Sequence, residues 1–341
     1  MRFHTYLVFA SSLFASAALG TTAQAADCKP LQIVNTIKME SINDGKKLLV
    51  PVTINGTPQK FILDTGGYTS QISHKAAMAL GLHEEETDNA LFDLYGNSSR
   101  AGVRVESFGL GQLNGHKVTL HVSPITQLDE AGGATGLLST DLFLLYDIDL
   151  DFGAGRLNYF SQDHCDGRVA YWPERPVAIV PFILDGWHIS LPVTIDGHEV
   201  KAVIDTGADE TVMPDTVAKG KFGLVPGSDD TPLIDASKSD PQLKYYSHKF
   251  QNLGFEGLAV SNPNIIVMTN RMGAGTTPFK SSFRGVLNDP FNRVQPDELI
   301  IGMNVLKHLH VYIAYKEKKL YISPAGTGES VLFKDAAAPA K

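Results

Sequence analysis

The fold is decided by two copies of one motif, KFILDTG at residues 60–66 and KAVIDTG at residues 201–207. A matching hexapeptide precedes each copy, PVTING at residues 51–56 and PVTIDG at residues 192–197. The offset is 141 residues throughout, and nine of the sixteen aligned positions are identical. We interpret this repeat as a duplication, which divides the chain into two homologous halves.

Each copy predicts a β-hairpin. Asn55-Gly56 and Asp196-Gly197 are two-residue turn signals, because both central positions of such a turn need a positive φ. The apolar run after each turn ends abruptly at an acid, Asp64 in the first copy and Asp205 in the second. We therefore expect each aspartate at the end of a strand, next to a turn that glycine forms most easily.

A weaker repeat closes each half at an offset of 163 residues, where Leu137-Leu138-Ser139 corresponds to Ile300-Ile301-Gly302. The larger offset predicts an insertion in the second half, for which residues 219–241 are a natural place. Few segments have a helical period, and residues 73–82 and 303–309 are the best candidates for short helices. The predicted class is mainly β, in two similar lobes.

The N-terminal segment has the pattern of a cleaved secretory signal, with one formal charge at Arg2 and small residues at Ala23-Gln24-Ala25. Its apolar run, residues 7–19, is shorter than the roughly 20 residues that span a bilayer, which disfavours a membrane anchor. We therefore expect an exported protein, periplasmic or extracellular. Cys28 and Cys165 are the only cysteines, and they predict one disulfide, the alternative being two buried thiols.

The composition favours an ordinary globular protein, with 43% hydrophobic residues and a formal net charge of −8. This acidic balance disfavours nucleic acid and anionic lipid as partners, and neither a metal-binding motif nor a cofactor motif is evident. We expect a monomer that is not an integral membrane protein. The predicted organisation is a signal peptide (1–25), an N-terminal lobe (26–165), a linker (166–178), a C-terminal lobe (179–325) and a flexible tail (326–341).

The paired loops predict acid–base chemistry. Homologous lobes pack about a pseudo-two-fold axis, and loops on that axis would bring Asp64 and Asp205 together. Two adjacent carboxylates share one proton, so that one can activate a water while the other donates to a carbonyl oxygen. A single Asp-Thr-Gly is more often a capped turn. Two copies at matching positions favour catalysis.

These residues resemble the pepsin and retropepsin clan of aspartic peptidases, over roughly residues 47–160 and 187–323. The resemblance implies a bilobal acid-protease fold, with two β-barrel-like lobes and the active site between them. It also implies that protein or peptide substrates bind there under a hairpin flap, for which Tyr95-Gly96 is the candidate. Its active-site loops are supported by the residues that follow each aspartate: Thr65, Gly66, Thr206 and Gly207.

Two residues depart from the family pattern. Gly67 stands where an alanine or serine is usual. Ser139 stands where the family has the glycine of an apolar-apolar-glycine signature that supports each active-site loop from beneath, a signature that Ile300-Ile301-Gly302 resembles. Either departure could weaken the first lobe's site. Neither Gly67 nor Ala208 offers a hydroxyl to the carboxylates, and fewer donors depress a carboxyl pKa less. We therefore expect a pH optimum nearer neutral than pepsin's.

The leading hypothesis is an aspartic endopeptidase. The alternative is a non-catalytic peptide-binding module that keeps the cleft, although such a module need not keep both aspartates. A glycosidase with two carboxylates needs no Asp-Thr-Gly and ranks far behind. The sequence leaves open whether Asp209 and Glu210 line the cleft or cap the turn that follows it.

Overall fold

The protein is mainly β, as predicted. The computed structural model describes residues 28–92, 97–125, 128, 132–172, 176–237, 241–269, 297–326 and 333–335. The predicted signal peptide and most of the predicted tail lie outside these residues. Within the described part of the chain, no helix combines the length and hydrophobicity that crossing a membrane requires.

The first half contains eleven strands and one α-helix among its described residues. In chain order these are β1 (Ile33–Lys38), β2 (Glu40–Ile42), β3 (Lys47–Ile54), β4 (Thr57–Asp64), β5 (Gln71–Ile72), α1 (His74–Ala79), β6 (Glu84–Phe92), β7 (Ser98–Leu110), β8 (Leu113–Val122), β9 (Gly136–Ser139), β10 (Asp147–Asp151) and β11 (Arg156–Phe160). Short 3₁₀ turns occupy Asn43–Gly45 and Thr140–Leu142.

The second half repeats this order with additions. Its elements are β12 (Ala178–Pro181), β13 (Ile183–Asp185), β14 (His188–Ile195), β15 (His198–Ile204), β16 (Val212–Pro214), α2 (Asp215–Phe222), β17 (Leu233–Ala236), β18 (Lys244–Lys249), β19 (Asn252–Phe255), β20 (Leu258–Ser261), β21 (Asn264–Met268), β22 (Leu299–Ile301), α3 (Met303–Leu306), β23 (Leu309–Ala314), β24 (Lys319–Pro324) and β25 (Phe333–Asp335).

Each half builds a sheet around its repeated hairpin. The first has the order β2-β3-β4-β9-β5-β8-β7-β6, and the second runs β17-β18-β21-β16-β22-β15-β14-β19-β20-β25, with β13 paired to β14. The hairpin turns form as predicted, with φ of 50° and 81° at Asn55 and Gly56 and of 45° and 84° at Asp196 and Gly197. In both sheets the closing apolar strand lies parallel to the strand that carries the aspartate, β9 to β4 and β22 to β15.

A third sheet joins the halves. It has six strands in the order β1-β11-β10-β23-β24-β12, with three neighbouring strands from each half, and the halves meet where β10 lies beside β23. The strands β10 and β23, which occupy equivalent positions in the weaker repeat, pair antiparallel, with Asp149 opposite Tyr312. These two residues are themselves equivalent at the offset of 163. A pseudo-two-fold axis therefore passes between them.

Two local features differ from the sequence expectations. The helix α2 was not predicted, because Gly220 interrupts its pattern and only Asp215 and Ala218 are buried on it. The helix predicted over residues 303–309 is shorter than expected, since α3 ends at Leu306 and β23 already begins at Leu309.

The predicted disulfide is present between Cys28 and Cys165, whose Cα atoms are 4.8 Å apart. It ties the start of the described chain to the region just beyond β11, and β1 pairs with β11 in the shared sheet. The bond therefore reinforces an edge of the sheet that joins the halves.

Candidate active site

The two aspartates lie at the ends of buried strands. Asp64 is the last residue of β4, and Asp205 directly follows β15. The apolar residues before them are buried, with Leu63 fully enclosed and Ile204 only 3% exposed. Each apolar run therefore anchors its strand in the core and projects the following Asp-Thr-Gly loop toward the other half.

Two threonines lock the loops together through four hydrogen bonds. The Thr65 N–H donates to Thr206 Oγ1 at 3.0 Å, and the Thr206 N–H donates to Thr65 Oγ1 at 3.1 Å. The Thr65 hydroxyl donates to the Ile204 carbonyl and the Thr206 hydroxyl to the Leu63 carbonyl, both at 2.9 Å. Both threonines are buried. The pattern is reciprocal, as loops on a pseudo-two-fold axis require.

The glycines after the threonines bring the carboxyl groups close. A Cβ atom on Gly66 would lie 2.2 Å from Cγ of Asp205, and one on Gly207 would lie 2.5 Å from Oδ1 of Asp64. Each carboxyl group thus packs on the backbone of the opposite loop. The two groups are near enough for a hydrogen bond between them to raise the pKa of Asp64.

The pair is electrostatically unequal. Oδ1 of Asp205 accepts hydrogen bonds from the N–H groups of Gly207 at 2.8 Å and Ala208 at 3.1 Å, whereas Asp64 accepts one from Gly66 at 3.1 Å. Burial, followed by the negative charge of Asp205, raises the pKa of Asp64 from its ordinary value to about 8. The arrangement therefore holds a proton on Asp64 at neutral pH.

Two basic side chains beside the pair were not anticipated from the sequence. Lys47 and His188 are equivalent at the offset of 141. Lys47 forms an ion pair with Asp209 at 2.6 Å and donates to the Gly207 carbonyl, and its charge partly opposes the raised pKa of Asp64. The ring of His188 packs against that of Tyr68 in a tilted arrangement, at a ring-centroid distance of 4.1 Å.

These contacts form a matched pair between the halves. Tyr68 and Asp209 are also equivalent at the offset of 141. The Lys47–Asp209 ion pair is therefore the counterpart of the aromatic contact between His188 and Tyr68. Burial lowers the pKa of His188 and outweighs the opposing effects of the Asp205 charge, the Asp297 charge and a backbone hydrogen bond with Gly66. His188 is therefore neutral at neutral pH, and only the Lys47 side carries a positive charge. The repeat offset could have identified both pairs, although the residue types differ.

The other site residues considered in the sequence are Asp209, Glu210 and the flap candidates Tyr95 and Gly96. Asp209 pairs with Lys47, and Glu210 pairs with Lys46, so both acids hold lysines of the first half. Tyr95 and Gly96 lie outside the described residues, and their flap role stays a prediction. The flanking strands β6 and β7 pair antiparallel, with Phe92 opposite Ser98. Within the described ranges, no cluster of three or more side chains could hold a metal ion.

Comparison with known proteins points to one kind of relative in both halves. Residues 50–142 match the family described as "Aspartyl protease", and residues 191–277 match the one described as "gag-polyprotein putative aspartyl protease". A retropepsin-like aspartic protease from Rickettsia conorii is 18% identical, with a TM-score of 0.31, over 38% of this chain and 93% of that chain. No curated protein matches the chain. Each half is thus similar to aspartyl proteases, and the resemblance to retropepsin-like aspartic peptidases is confirmed.

Proposed function

We propose that the chain is an aspartic endopeptidase in which Asp64 and Asp205 are the catalytic residues. The observation that carries the proposal is the placement of both carboxyl groups at one axis, each packed on the backbone of the opposite loop. The raised pKa of Asp64, caused first by its burial and then by the Asp205 charge, agrees with it. Two family matches to aspartyl proteases, one in each half, support it.

The geometry suits general acid–base hydrolysis of a peptide bond. The ionised member of the pair takes a proton from a bound water, whose oxygen attacks the carbonyl carbon. The protonated member gives its proton to the carbonyl oxygen, which forms a tetrahedral diol. The C–N bond then breaks as the carboxyl that took the water's proton gives it to the leaving nitrogen, while the other carboxylate takes a proton back from a diol hydroxyl to leave the carboxylic acid product. The threonine lock keeps the two groups in register, so no rearrangement precedes the transfer.

The aspartates and the disulfide also bear on the oligomeric state and the location of the proposed enzyme. Both acids come from one chain, so the proposed enzyme acts as a monomer on protein or peptide substrates. The Cys28–Cys165 disulfide is of the kind that persists in oxidising compartments. We therefore place the reaction in the periplasm or outside the cell.

The test uses three variants with matched chemistry. Asp64→Asn and Asp205→Asn each remove one carboxyl with little change of volume, and Asp229→Asn makes the same change at an exposed position. Cleavage of casein and of a fluorogenic peptide library is measured between about pH 4 and pH 8. We expect each active-site variant to lose at least about 1,000-fold in kcat/KM, and Asp229→Asn to retain wild-type activity.

A second readout separates catalysis from binding. A statine-type inhibitor imitates the tetrahedral diol, so it should bind the wild type far more tightly than a substrate of the same length. Peptide binding without turnover at any pH, unchanged in both active-site variants, would instead identify a binding module.

A further inference from the structure

A buried hydroxyl beside the acid pair has no assigned role. Ser139 is fully buried, and its Oγ has no hydrogen-bond partner among the described residues. Burying an unpaired hydroxyl is unfavourable, so such a group calls for an explanation. The backbone of Ser139 is firmly held, because its N–H donates to Ser70 Oγ at 3.0 Å, and the Ser70 hydroxyl donates to Asp141 at 2.7 Å.

The hydroxyl occupies the space that the loop leaves empty. Ser139 lies opposite Asp64 in the parallel pairing of β9 with β4. A Cβ atom built on Gly67 would lie 2.4 Å from Ser139 Oγ and 2.7 Å from Asp64 Oδ2. The hydroxyl and the carboxyl oxygen therefore border the same small volume, where the side chain of residue 67 would otherwise stand.

The second half has the opposite arrangement. The equivalents of Gly67 and Ser139 there are Ala208 and Gly302, so the loop carries the side chain and the supporting strand carries none. A Cβ atom on Gly302 would lie 2.3 Å from the Glu210 carbonyl oxygen. In the first half the two side chains would compete for one space, whereas in the second half the backbone of Glu210 keeps residue 302 a glycine.

We propose that Ser139 is a positioning residue of the acid pair, whose hydroxyl turns to donate to Oδ2 of Asp64 when that carboxyl is ionised. It thereby supplies from the supporting strand the donor that Gly67 cannot supply from the loop. Asp64 becomes an anion each time it gives its proton to the substrate carbonyl, so the hydrogen bond strengthens during the reaction. This inference rests on the proposed peptidase function.

The test is a pH profile of kcat/KM for Ser139→Ala. Loss of a donor to the ionised form raises the pKa of Asp64, so the alkaline limb, where the pair loses its last proton, moves to higher pH. We expect a shift of about one pH unit and a fall in kcat of about tenfold, as removal of a hydrogen bond to a charged group implies. Ser323→Ala is the matched control, because Ser323 is equally buried and its hydroxyl also has no partner among the described residues.

An exchange of the two positions provides the second arm. Gly67→Ser alone places its side chain against the Ser139 hydroxyl and should lower kcat strongly. The double variant Gly67→Ser/Ser139→Gly moves the donor to the loop, and it should recover both the rate and the wild-type alkaline limb.

Two results would overturn the inference in an active wild-type enzyme. One is an unchanged profile in Ser139→Ala, and the other is a double variant no better than Gly67→Ser. A wild type that cleaves nothing would instead refute the proposed function, so the two failures are distinguishable.

Discussion

Replacing Thr206 by valine tests the lock between the halves. Valine keeps the shape and volume of threonine but lacks the hydroxyl, which donates to the Leu63 carbonyl at 2.9 Å and accepts from the Thr65 N–H at 3.0 Å. Both partners are backbone groups of the first half in a buried region. A buried group left unpaired costs about 1–3 kcal/mol. The expected loss in the free energy of unfolding is therefore about 2–6 kcal/mol.

A loss of that size is a large part of the stability of an ordinary domain, which is about 5–15 kcal/mol. Thr206→Ser is the control, since it keeps both hydrogen bonds and removes one methyl group, at a cost of about 1 kcal/mol. Urea unfolding, followed by circular dichroism, compares the variants with the wild type. Peptide cleavage is measured in parallel, because a loosened pair should also lose activity.

The hydrogen bonds of the lock are reciprocal, so the two threonines should contribute equally to stability. Thr65 makes the reciprocal contacts with Ile204 and with the Thr206 N–H, so Thr65→Val should cost about as much as Thr206→Val. A valine variant within about 0.5 kcal/mol of the wild type, or a serine variant as unstable as the valine one, would refute the lock.

Three further predictions follow from individual contacts. Lys47→Met removes a positive charge that opposes the raised pKa of Asp64, so the pKa rises further and the alkaline limb of the activity profile moves to higher pH. Gly66→Ala places a Cβ atom 2.2 Å from the opposite carboxyl carbon, and peptide cleavage should fall at least about 100-fold. Serine at both Cys28 and Cys165, which are separated by 137 residues, should lower the free energy of unfolding by about 5 kcal/mol in urea titrations.

The first two of these variants each have a control and a contrary result. Lys75→Met removes an exposed lysine of α1 and should leave the pH profile unchanged. Gly220→Ala lies in α2, where an added Cβ atom meets nothing within 4 Å, and it should stabilise the helix by up to about 1 kcal/mol. An alkaline limb that moves to lower pH in Lys47→Met would contradict the electrostatic argument. A Gly66→Ala enzyme of normal activity would contradict the close packing of the pair.

Local and repeated features of the fold could be predicted from the sequence. Asn55-Gly56 and Asp196-Gly197 specify their turns because few other residue pairs accept two positive φ values. The offset of 141 places Asp64 and Asp205 at equivalent points of the two halves, and packing about a two-fold axis brings equivalent loops together.

Features that depend on tertiary pairing could not be predicted. The residue pattern of β10 and of β23 predicts a strand but not which strand lies beside it. The antiparallel pairing of these two strands across the halves could therefore not be predicted. Lys47 and His188 show a similar limit. Their equivalence is visible in the numbering, but the contacts they make depend on which side chain the opposite loop presents. From the sequence, Ser139 is a departure that could weaken the first lobe's site, whereas in the structure its hydroxyl lies in the space beside Gly67.

The central claim is that the two carboxyl groups share one proton, held by Asp64. Infrared difference spectra between the wild type and Asp64→Asn, recorded as the pH is raised, test it most directly, because they separate this carboxyl from all others. At about pH 6 the wild type should show one additional protonated carboxyl, which disappears as the pH passes through about 8 and at lower pH in Asp205→Asn. A difference spectrum showing only an ionised carboxylate at about pH 6 would contradict the account.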